Sequence, residues 1–422
     1  MRDQGAAGEV LKSVFGHRDF RPGQAAVVRA ILAGRDVLAV RATGFGKSLC
    51  FQIPALLLSR PTVVVSPLIA LMQDQVEGLR ARQVDAAAYS SALARSERAA
   101  LADRLRNSPP RILYLSPEAL ATERVRSLAA HLHPARVIVD EAHCISDWGH
   151  DFRPEYRNIL QFLDIAGRPP VAAFTATATP HTRTDIESSL GLRDPARFIS
   201  SVDRPNLHWS VSRAGSGPDR FEQLVAAVRR ALAPAGRSSA LVYLLSRAGT
   251  VRLAHMLRAR GLRSTVYHAG LDGATRKALQ VGFTSGRNRV LCATSAFGMG
   301  VDHPEIRLVA HLGMPAALEA YVQEAGRAGR DGDPACCLLM PMTGDLRLHR
   351  RRIRERFGNS RTSDRSTTDA GPDESPARLA ARARFRLEAM QRYAAARGCR
   401  RAVIARYFGE SRPDCGGCDR CR

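Results

Sequence analysis

The sequence predicts an α/β protein with two parallel sheets, because short apolar strands alternate with helical stretches in two successive series. The first series comprises DVLAV (36–40), TVVVS (62–66), RILYL (111–115), RVIVD (136–140) and VAAFT (171–175). The second comprises ALVYLL (240–245), STVYH (264–268), RVLCA (289–293), RLVAHL (307–312) and ACCLLM (335–340). Continuous apolar strands separated by helices are typical of parallel sheets covered on both faces. We therefore predict two α/β domains.

The C-terminal part of the sequence has a different composition. Residues 358–377 are rich in Ser, Thr, Asp, Gly and Pro, which predicts a flexible linker. A basic helical pattern follows at 378–396, and a cysteine cluster comes after it. The predicted organisation is a first domain at 1–203, a second at 204–357, the linker at 358–377 and a small C-terminal domain at 378–422.

The composition favours a polyanionic partner. The 422 residues carry a formal net charge of +23 with a sequence pI of about 10.8, and 60 of the 63 basic residues are arginine. A general arginine bias of the genome would give the same excess, and both interpretations can hold. No apolar stretch reaches the roughly 20 residues of a membrane span, and the N-terminus lacks a signal-peptide core. We expect a cytosolic protein without membrane contacts.

A phosphate-binding loop is indicated by DVLAVRATGFGKSLC (36–50), which reads as a strand, a glycine loop and a helix start. Gly44 and Gly46 let backbone N–H groups curl around phosphates, and the helix N-terminus adds a favourable dipole. In such loops a lysine reaches the β- and γ-phosphates and a hydroxyl ligates Mg²⁺. Lys47 and Ser48 stand at the positions for these two roles.

The Walker pattern of this loop is incomplete, because Arg41 stands where its first glycine belongs. A plain glycine-rich turn is therefore the alternative interpretation.

Two carboxylates at the end of a later strand favour a nucleotide site. Asp140 can hold Mg²⁺ through water, and Glu141 can polarise the attacking water. Away from a phosphate loop, such an acidic pair is usually a solvated surface pair.

Two arginines in YVQEAGRAGRDG (321–332) are further candidates. Arg327 and Arg330 are three residues apart and would share one face of a helix. Arginines delivered from a second domain can stabilise charge on a transferring γ-phosphoryl group, which is typically worth about 10³–10⁵ in rate. A solvated basic helix is the alternative, since arginine pairs are common on surfaces.

The acidic pair runs directly into an aromatic and basic loop, in DEAHCISDWGHDFRPEY (140–156). Trp148, His150, Phe152 and Arg153 are suited to stacking on bases, and such stacking supplies roughly 1–3 kcal/mol per base without sequence preference. The alternative is that the two aromatic rings belong to the core, although their polar and glycine neighbours are poor core material.

Four C-terminal cysteines have the spacing Cys-x15-Cys-x2-Cys-x2-Cys, at Cys399, Cys415, Cys418 and Cys421. Four thiolates suit a closed tetrahedral Zn²⁺ site, and a redox cluster or free thiols are the alternative. The other five cysteines lie in apolar or motif surroundings and are predicted to be buried free thiols, at Cys50, Cys144, Cys292, Cys336 and Cys337.

Taken in order, these motifs resemble the RecQ family of superfamily 2 helicases, from about Phe15 to Cys421. Further matching segments are FGHRDFRPGQ (15–24), VVSPLIALMQDQ (64–75), YLSPE (114–118), FTATAT (174–179), DRPN (203–206) and AFGMGVDHPEIR (296–307). The resemblance implies two tandem RecA-like parallel-sheet domains and a small helical zinc-binding C-terminal domain. It also implies ATP, Mg²⁺ and Zn²⁺ as cofactors, and 3′ to 5′ DNA helicase activity in recombination and repair.

For the nucleotide, the resemblance places Gln24 on the edge of adenine with Arg21 beside it. His17 occupies the position of the usual stacking aromatic, and an imidazole stacks more weakly. Arg327 and Arg330 take the arginine-finger role, with Arg330 nearest the γ-phosphate. Further implied nucleotide contacts are Thr43, Gly44, Phe45, Gly46, Lys47, Ser48, Gly300 and Asp302.

For DNA, the resemblance assigns the loop of Trp148, His150, Phe152 and Arg153 to base stacking. The TAT segment at 175–177 would help to couple the two domains. Backbone contacts would come from segments that contain Ser66, Arg247 and Thr294. The implied substrates are single-stranded and forked DNA. We expect a monomer in the cytoplasm, associated with the nucleoid, and a single-strand-binding protein is a candidate partner.

Two alternatives remain at this point: an RNA helicase of the same superfamily, and a DNA-binding or strand-annealing protein without a motor. A third expectation concerns the end of the sequence at Arg422, because longer RecQ proteins continue into a winged-helix domain that grips duplex DNA. We expect a DNA-stimulated ATPase with weak or short-range unwinding, unless a separate partner or the basic residues of 378–396 compensate. Those residues are Arg378, Arg382, Arg384, Arg386 and Arg392.

Overall fold

The chain forms two compact units, Met1–Ser200 and Ser201–Arg422. The computed structural model describes residues 2–42, 44–90, 92–149, 151–212, 217–233, 236, 238–298, 303–358, 375–411 and 415–421. Within these ranges, no helix has both the length and the apolar character needed to cross a bilayer.

The first unit is built around a seven-stranded sheet in which every pairing is parallel. Its strands are β1 (Val37–Val40), β2 (Thr62–Val65), β3 (Ala86–Tyr89), β4 (Ile112–Leu115), β5 (Arg136–Val139), β6 (Val171–Thr175) and β7 (Ala196–Ile199). Their order across the sheet is β3-β4-β2-β5-β6-β1-β7.

Both faces of this sheet are covered, as the continuous apolar strands predict. Successive side chains of a strand point to opposite faces. In β1, Leu38 and Val40 belong to one buried cluster, whereas Val37 and Ala39 belong to another. The apolar runs therefore fill two cores, one on each side of the sheet.

Nine helices of the first unit pack around this sheet or cap it. They are α1 (Arg2–Ser13), α2 (Gln24–Leu32), α3 (Lys47–Leu57), α4 (Ile69–Arg80), α5 (Arg95–Asn107), α6 (Pro117–Leu120), α7 (Glu123–Leu132), α8 (Asn158–Ile165) and α9 (Pro180–Ser189), in the described part of the chain. Helix α9 has a clear start signal, because Thr179 accepts a hydrogen bond from the Thr182 N–H at 3.2 Å and Pro180 occupies the first turn.

The second unit contains a six-stranded, all-parallel sheet. Its strands are β8 (Leu207–Val211), β9 (Ser239–Leu244), β10 (Ser264–Tyr267), β11 (Val290–Ala293), β12 (Ile306–Leu312) and β13 (Ala335–Met340), in the order β10-β11-β9-β12-β13-β8. Its described helices are α10 (Gly217–Leu232), α11 (Arg247–Arg258), α12 (Gly273–Thr284), α13 (Leu318–Ala325), α14 (Asp345–Gly358), α15 (Pro376–Ala395) and α16 (Arg400–Tyr407).

The prediction of two parallel sheets is confirmed, and all ten predicted strands form. Three further strands were not predicted. Strand β3 reads AAAY, and alanine has little strand preference. Strands β7 and β8 lie at sheet edges, where partial exposure interrupts the apolar run.

The C-terminal helices share a core with the second sheet. Leu387, Met390 and Tyr393 of α15 and Phe408 just after α16 are buried in the same cluster as Trp209 of β8. Residues 375–421 of the described chain therefore pack onto the second sheet within one compact unit.

Candidate functional site

The glycine loop follows β1 and ends at the start of α3, as the sequence predicts. Gly44 and Gly46 have φ values of 88° and 82°, in the left-handed region that favours glycine. A Cβ atom on Gly46 would lie 2.6 Å from the Gln24 side-chain nitrogen, so this position has no room for a larger residue. The helix N-terminus and the tight loop form a geometry that suits an anion. Thr43 lies outside the described residues.

Lys47 lies over its own loop. Its Nζ donates a hydrogen bond to the Arg41 carbonyl oxygen at 3.1 Å. Ser48 follows in the first turn of α3, where its hydroxyl is half-buried. Both side chains are therefore placed at the helix start, as a phosphate site requires.

Arg41 replaces the expected Walker glycine without filling the loop. Its guanidinium donates to the Ser200 hydroxyl oxygen at 2.7 Å and lies 4.8 Å from the centre of the Phe45 ring. The same guanidinium packs against Gly23, since a Cβ atom there would meet it at 3.1 Å. The side chain turns toward the end of β7 and leaves the glycine curl intact.

Gln24 and Arg21 hold the glycine loop. Gln24 is 2% exposed, and its side-chain nitrogen donates to the Phe45 carbonyl oxygen at 2.8 Å. Its side-chain oxygen accepts from the Arg21 N–H at 2.8 Å, while the Arg21 guanidinium donates to the Gly44 carbonyl oxygen. His17 is exposed in the turn after α1. The expected adenine segment is therefore bonded to the phosphate loop.

Two carboxylates follow β5 at the carboxyl edge of the first sheet. Asp140 is half-buried, and partial burial together with the neighbouring Glu141 raises its pKa to about 7. Glu141 adopts a left-handed backbone with φ of 47°, a strained conformation that is frequent at functional sites. Adjacent carboxylates supply oxygen ligands of the kind that Mg²⁺ prefers. The residues present therefore fit a magnesium site.

A buried histidine connects Glu141 to the TAT segment. The Nδ1 atom of His143 lies 3.3 Å from the Glu141 carboxylate and 2.9 Å from the Thr175 hydroxyl. His143 is 2% exposed, so these contacts are shielded from solvent. Gly149 packs against the His143 carbonyl oxygen, where a Cβ atom would clash. The acidic pair is thus fixed to β6 and to the aromatic loop.

The aromatic loop is tied to the acidic pair by a residue that the sequence interpretation left without a role. The Tyr156 hydroxyl donates to the Asp140 carbonyl oxygen at 2.9 Å, and Tyr156 is fully buried. Arg153 donates to the Pro67 carbonyl oxygen at 2.9 Å, which joins the loop to the segment after β2. The sequence shows a tyrosine at the end of the acidic motif, but it does not show that the tyrosine hydroxyl bonds to the Asp140 carbonyl oxygen.

The two aromatic side chains of the loop are half-buried and do not belong to the buried clusters. Trp148 stacks on His181 of α9, with ring centres 5.5 Å apart and planes inclined by 22°. The Phe152 ring lies 5.4 Å from the Arg157 guanidinium. Each ring keeps part of its surface open to solvent. His150 lies outside the described residues.

The other expected DNA contacts lie at the carboxyl ends of strands. Ser66 directly follows β2 and is buried. In the second unit, Thr294 directly follows β11 and is half-buried, while Arg247 is exposed at the start of α11. Ligands of parallel α/β sheets bind outside these strand ends.

The arginine pair is placed differently from the prediction. Helix α13 ends at Ala325, so Arg327 and Arg330 lie in the turns that follow and not on one helix face. The prediction was wrong because Gly326 ends the helix and Gly329 is left-handed, with φ of 52°. Arg327 is 5% exposed and donates to the Gly298 carbonyl oxygen, whereas Arg330 is half-buried.

The DRPN segment holds these turns. The Arg204 guanidinium donates to the carbonyl oxygens of Gly326, at 2.6 Å, and of Gly329. The Asn206 side chain donates to the Gly329 and Asp333 carbonyl oxygens, each at 2.8 Å. The positions of both arginines therefore depend on residues about 120 positions earlier. Gly300 and Asp302 lie outside the described residues.

The four C-terminal cysteines come together. Their four sulfur atoms all lie within 4.8 Å of one another, in Cys399, Cys415, Cys418 and Cys421. Tetrahedral zinc with bonds of about 2.3 Å requires sulfurs roughly 4 Å apart, so this donor set fits Zn²⁺. Four of the other five cysteines are buried free thiols, as predicted, whereas Cys336 is half-buried.

The cysteine cluster is bonded to the edge of the second sheet. The Trp209 N–H of β8 donates to the Gly417 carbonyl oxygen at 3.0 Å, and the Asp419 N–H donates to the Trp209 carbonyl oxygen at 2.9 Å. Arg401 makes two bonds to the Asp203 carboxylate, at 2.7 and 2.6 Å. The cluster thus covers an edge strand and fixes the start of the second unit.

Comparison with protein families matches three successive segments. The DEAD/DEAH box helicase family matches residues 21–186, the helicase conserved C-terminal domain matches 222–332, and the RecQ zinc-binding family matches 343–422. The C-terminal region is therefore a RecQ zinc-binding domain that carries the cysteine cluster.

Curated relatives align over most of the chain. It is 38% identical over 413 residues to the ATP-dependent DNA helicase RecQ of Haemophilus influenzae, which covers 98% of this chain and 63% of the relative. It is 40% identical over 365 residues to the ATP-dependent DNA helicase RecQ of Synechocystis, covering 85% of this chain and 76% of the relative. The chain spans less than two thirds of the Haemophilus influenzae protein.

Solved structures share the fold at lower identity. The Mycobacterium smegmatis helicase Lhr bound to ssDNA and AMP-PNP has a TM-score of 0.61 at 21% identity, covering 82% of this chain and 49% of that one. The DEAD-box helicase Mss116 bound to ssRNA has a TM-score of 0.67 at 18% identity, covering 84% and 76%. The predicted fold class is confirmed: two RecA-like parallel-sheet domains and a helical C-terminal region with a cysteine cluster.

Proposed function

Because this chain is a member of the RecQ family of helicases, we propose that it is an ATP-dependent DNA helicase that moves 3′ to 5′ along single-stranded DNA. Its relatives from Haemophilus influenzae and Synechocystis are both named ATP-dependent DNA helicases. The proposed substrates are single-stranded and forked DNA, during recombination and repair. We propose that it acts as a monomer in the cytoplasm at the nucleoid, with a single-strand-binding protein as a candidate partner.

The proposed nucleotide site lies at the carboxyl edge of the first sheet. The glycine loop and Lys47 bind the phosphates, and Gln24 with Arg21 and His17 receives the adenine. Ser48 and Asp140 would hold Mg²⁺, which neutralises charge on the β- and γ-phosphates when it is bound. Glu141 orients and polarises the attacking water, and its contact with His143 fixes the carboxylate in that position.

The arginine-finger role is proposed for the turns after α13. Arg330 stabilises charge on the γ-phosphoryl group. Arg327 is buried against Gly298, which supports a second role in which it positions this segment. Gly300 and Asp302 keep their proposed nucleotide contacts. The functional division is proposed to follow residues 1–203, 204–357 and 378–422, with 358–377 as the linker.

The observation that carries the proposal is the bonded connection between the aromatic loop and the acidic pair. Tyr156 reaches the Asp140 carbonyl oxygen, and His143 reaches both Glu141 and Thr175. A strand that stacks on Trp148 and Phe152 would displace a loop whose end is bonded to the proposed catalytic segment. ATP hydrolysis would therefore respond to bound DNA, which is the requirement for a motor.

Backbone contacts without base readout complete the proposed DNA site. Arg247 and Thr294 lie at a helix start and a strand end, where guanidinium, hydroxyl and N–H groups can bind phosphates. Ser66 is 1% exposed, so its proposed contribution comes through the segment that contains it. Arg153 and His150 would add contacts beside the stacked bases. Aromatic stacking accepts any base, so the proposal predicts little sequence preference.

The test is ATP turnover measured without nucleic acid, with single-stranded DNA and with RNA of the same sequence. We expect DNA to stimulate turnover more than RNA does, and Lys47→Ala and Glu141→Gln to abolish the stimulated rate. Glu123→Gln is the matched control, because Glu123 is an exposed acid in the first turn of α7. Equal stimulation by RNA would favour an RNA helicase, and no turnover would favour a DNA-binding protein without a motor.

A further inference from the structure

A basic groove lies between α14 and α15, outside the proposed motor site. Its cavity volume is about 620 Å³. Four guanidinium groups line it: Arg347, Arg350 and Arg354 come from α14, and Arg384 comes from α15. The first three are spaced i, i+3 and i+7, which places them along one side of the helix. The groove therefore has a continuous positive wall.

The four arginines have no acidic partner within ion-pair distance among the described residues. By contrast, Arg351 of α14 pairs with Glu355 at 3.4 Å. One acidic side chain, Glu388, lines the groove beside the four arginines. Among the residues that the structure describes, the positive charge of this groove is thus largely uncompensated.

The shape and lining of the groove indicate which anion it fits. Arginine binds phosphate oxygens through two parallel N–H bonds. The α14 stripe extends over about 10 Å at 1.5 Å per residue, and successive phosphates of one DNA strand rise by about 3.4 Å along the helix axis. The stripe can therefore contact several neighbouring phosphates. The floor is aliphatic, since Leu346, Ile353 and Leu387 line it.

The groove is suited to a backbone and not to splayed bases. No aromatic side chain is present in the described lining, whereas non-specific single-strand sites use aromatic stacking platforms. A duplex presents phosphates while its bases stay paired, so arginines alone suffice to bind it. An acidic protein segment would share the charge, but it would not match a regular row of phosphates.

We propose that the α14–α15 groove is a binding site for the phosphate backbone of duplex DNA. The identity of the polyanion rests on the proposed function, whereas the groove and its charge do not. The site differs from the sequence expectation, which assigned duplex contacts to the arginines of 378–396. Arg386 is half-buried and does not line the groove, and three of the four groove arginines come from α14.

The experiment compares two double variants that change the same charge on the same helix. Arg350→Gln with Arg354→Gln removes two groove arginines. Arg351→Gln with Arg356→Gln is the matched control, because neither residue lines the groove and both are exposed. Glutamine retains helix propensity, so both variants should fold. Binding of a blunt duplex is measured by fluorescence anisotropy between 50 and 200 mM salt.

The salt slope is the change in the logarithm of the binding constant with the logarithm of the salt concentration. We expect its magnitude to be about 1.8 smaller in the groove variant than in the parent, because each lost phosphate contact removes about 0.9. Over this range the parent should then lose about tenfold more affinity than the groove variant loses. The control should keep the parental slope. Equal slopes for all three proteins would overturn the assignment. It would also be overturned if the groove variant lost affinity for polyglutamate while duplex binding stayed parental.

ATP turnover separates this proposal from the proposed function. Stimulation by single-stranded DNA should be parental in both double variants, because neither pair belongs to the motor site. If the parent showed no DNA-stimulated turnover but the groove variant still lost duplex slope, the motor would fail and the groove assignment would stand. If the groove variant kept the parental salt slope on duplex DNA while single-stranded DNA still stimulated turnover, the groove assignment would fail and the proposed function would stand.

Discussion

Replacing Tyr156 with phenylalanine removes one hydroxyl group and keeps the buried ring. The hydroxyl donates to the Asp140 carbonyl oxygen at 2.9 Å, and Tyr156 is fully buried. Leaving a buried acceptor without its donor costs about 1–3 kcal/mol. For a unit of 200 residues, each kcal/mol lowers Tm by about 2–4 °C, so we expect a decrease of about 2–12 °C.

The effect of Tyr156→Phe on DNA-stimulated ATP turnover should be larger than the loss of stability alone explains. We expect basal ATP turnover to persist while stimulation by single-stranded DNA falls severalfold, because the bond between the aromatic loop and the acidic pair is lost. Tyr89→Phe is the matched control. Tyr89 is buried in the same unit, in edge strand β3, which is not adjacent to β5. The account of the loop is refuted if both variants show the same stimulation ratio as the parent.

Three further predictions concern the loop, the metal and a buried thiol. Trp148→Ala should weaken single-stranded DNA binding by about 5- to 150-fold, given roughly 1–3 kcal/mol for one stacked base, and an unchanged affinity would place the ring in a purely structural role. One zinc per chain is expected; Cys418→Ser should release it and lower the thermal stability of the second unit, because Cys418 is buried in that unit's core. Metal-free protein purified without chelators would contradict this. Burial raises the pKa of Cys292 to about 12, so the native thiol should resist alkylation at pH 8 and react after unfolding. Its contribution to stability should be complete below about pH 9 and should fall as pH rises toward 12.

Apolar strands and ordered motifs allowed most of the fold to be predicted. Strands such as β1 and β2 are buried on both faces, so their sequences carry an unbroken apolar signal. Edge strands carry less of this signal. Strand β8 lies at the edge of the second sheet, where backbone hydrogen bonds with Gly417 and Asp419 cover its outer side. Such pairing over long sequence distances leaves no local pattern.

The sequence predicts which residue types form the candidate site, but it does not predict the hydrogen bonds between them. The glycine loop and the acidic pair lie where strand ends predict them. The bond from Tyr156 to Asp140 and the anchoring of Arg41 by Ser200 depend on tertiary contacts. Arg327 and Arg330 were assigned to a helix because of their spacing, but Gly326 ends the helix before them and Gly329 is left-handed between them. Periodicity is therefore least reliable where glycines shape a functional turn.

The central claim is that ATP hydrolysis drives directional movement on DNA, and strand displacement from two short duplexes tests it most directly. One duplex carries a 3′ single-stranded tail and the other a 5′ tail of the same sequence. We expect ATP-dependent displacement from the 3′-tailed duplex, little from the 5′-tailed duplex, and none by the Glu141→Gln variant. Displacement that proceeds equally without ATP, or that Glu141→Gln supports at the parental rate, would contradict the account.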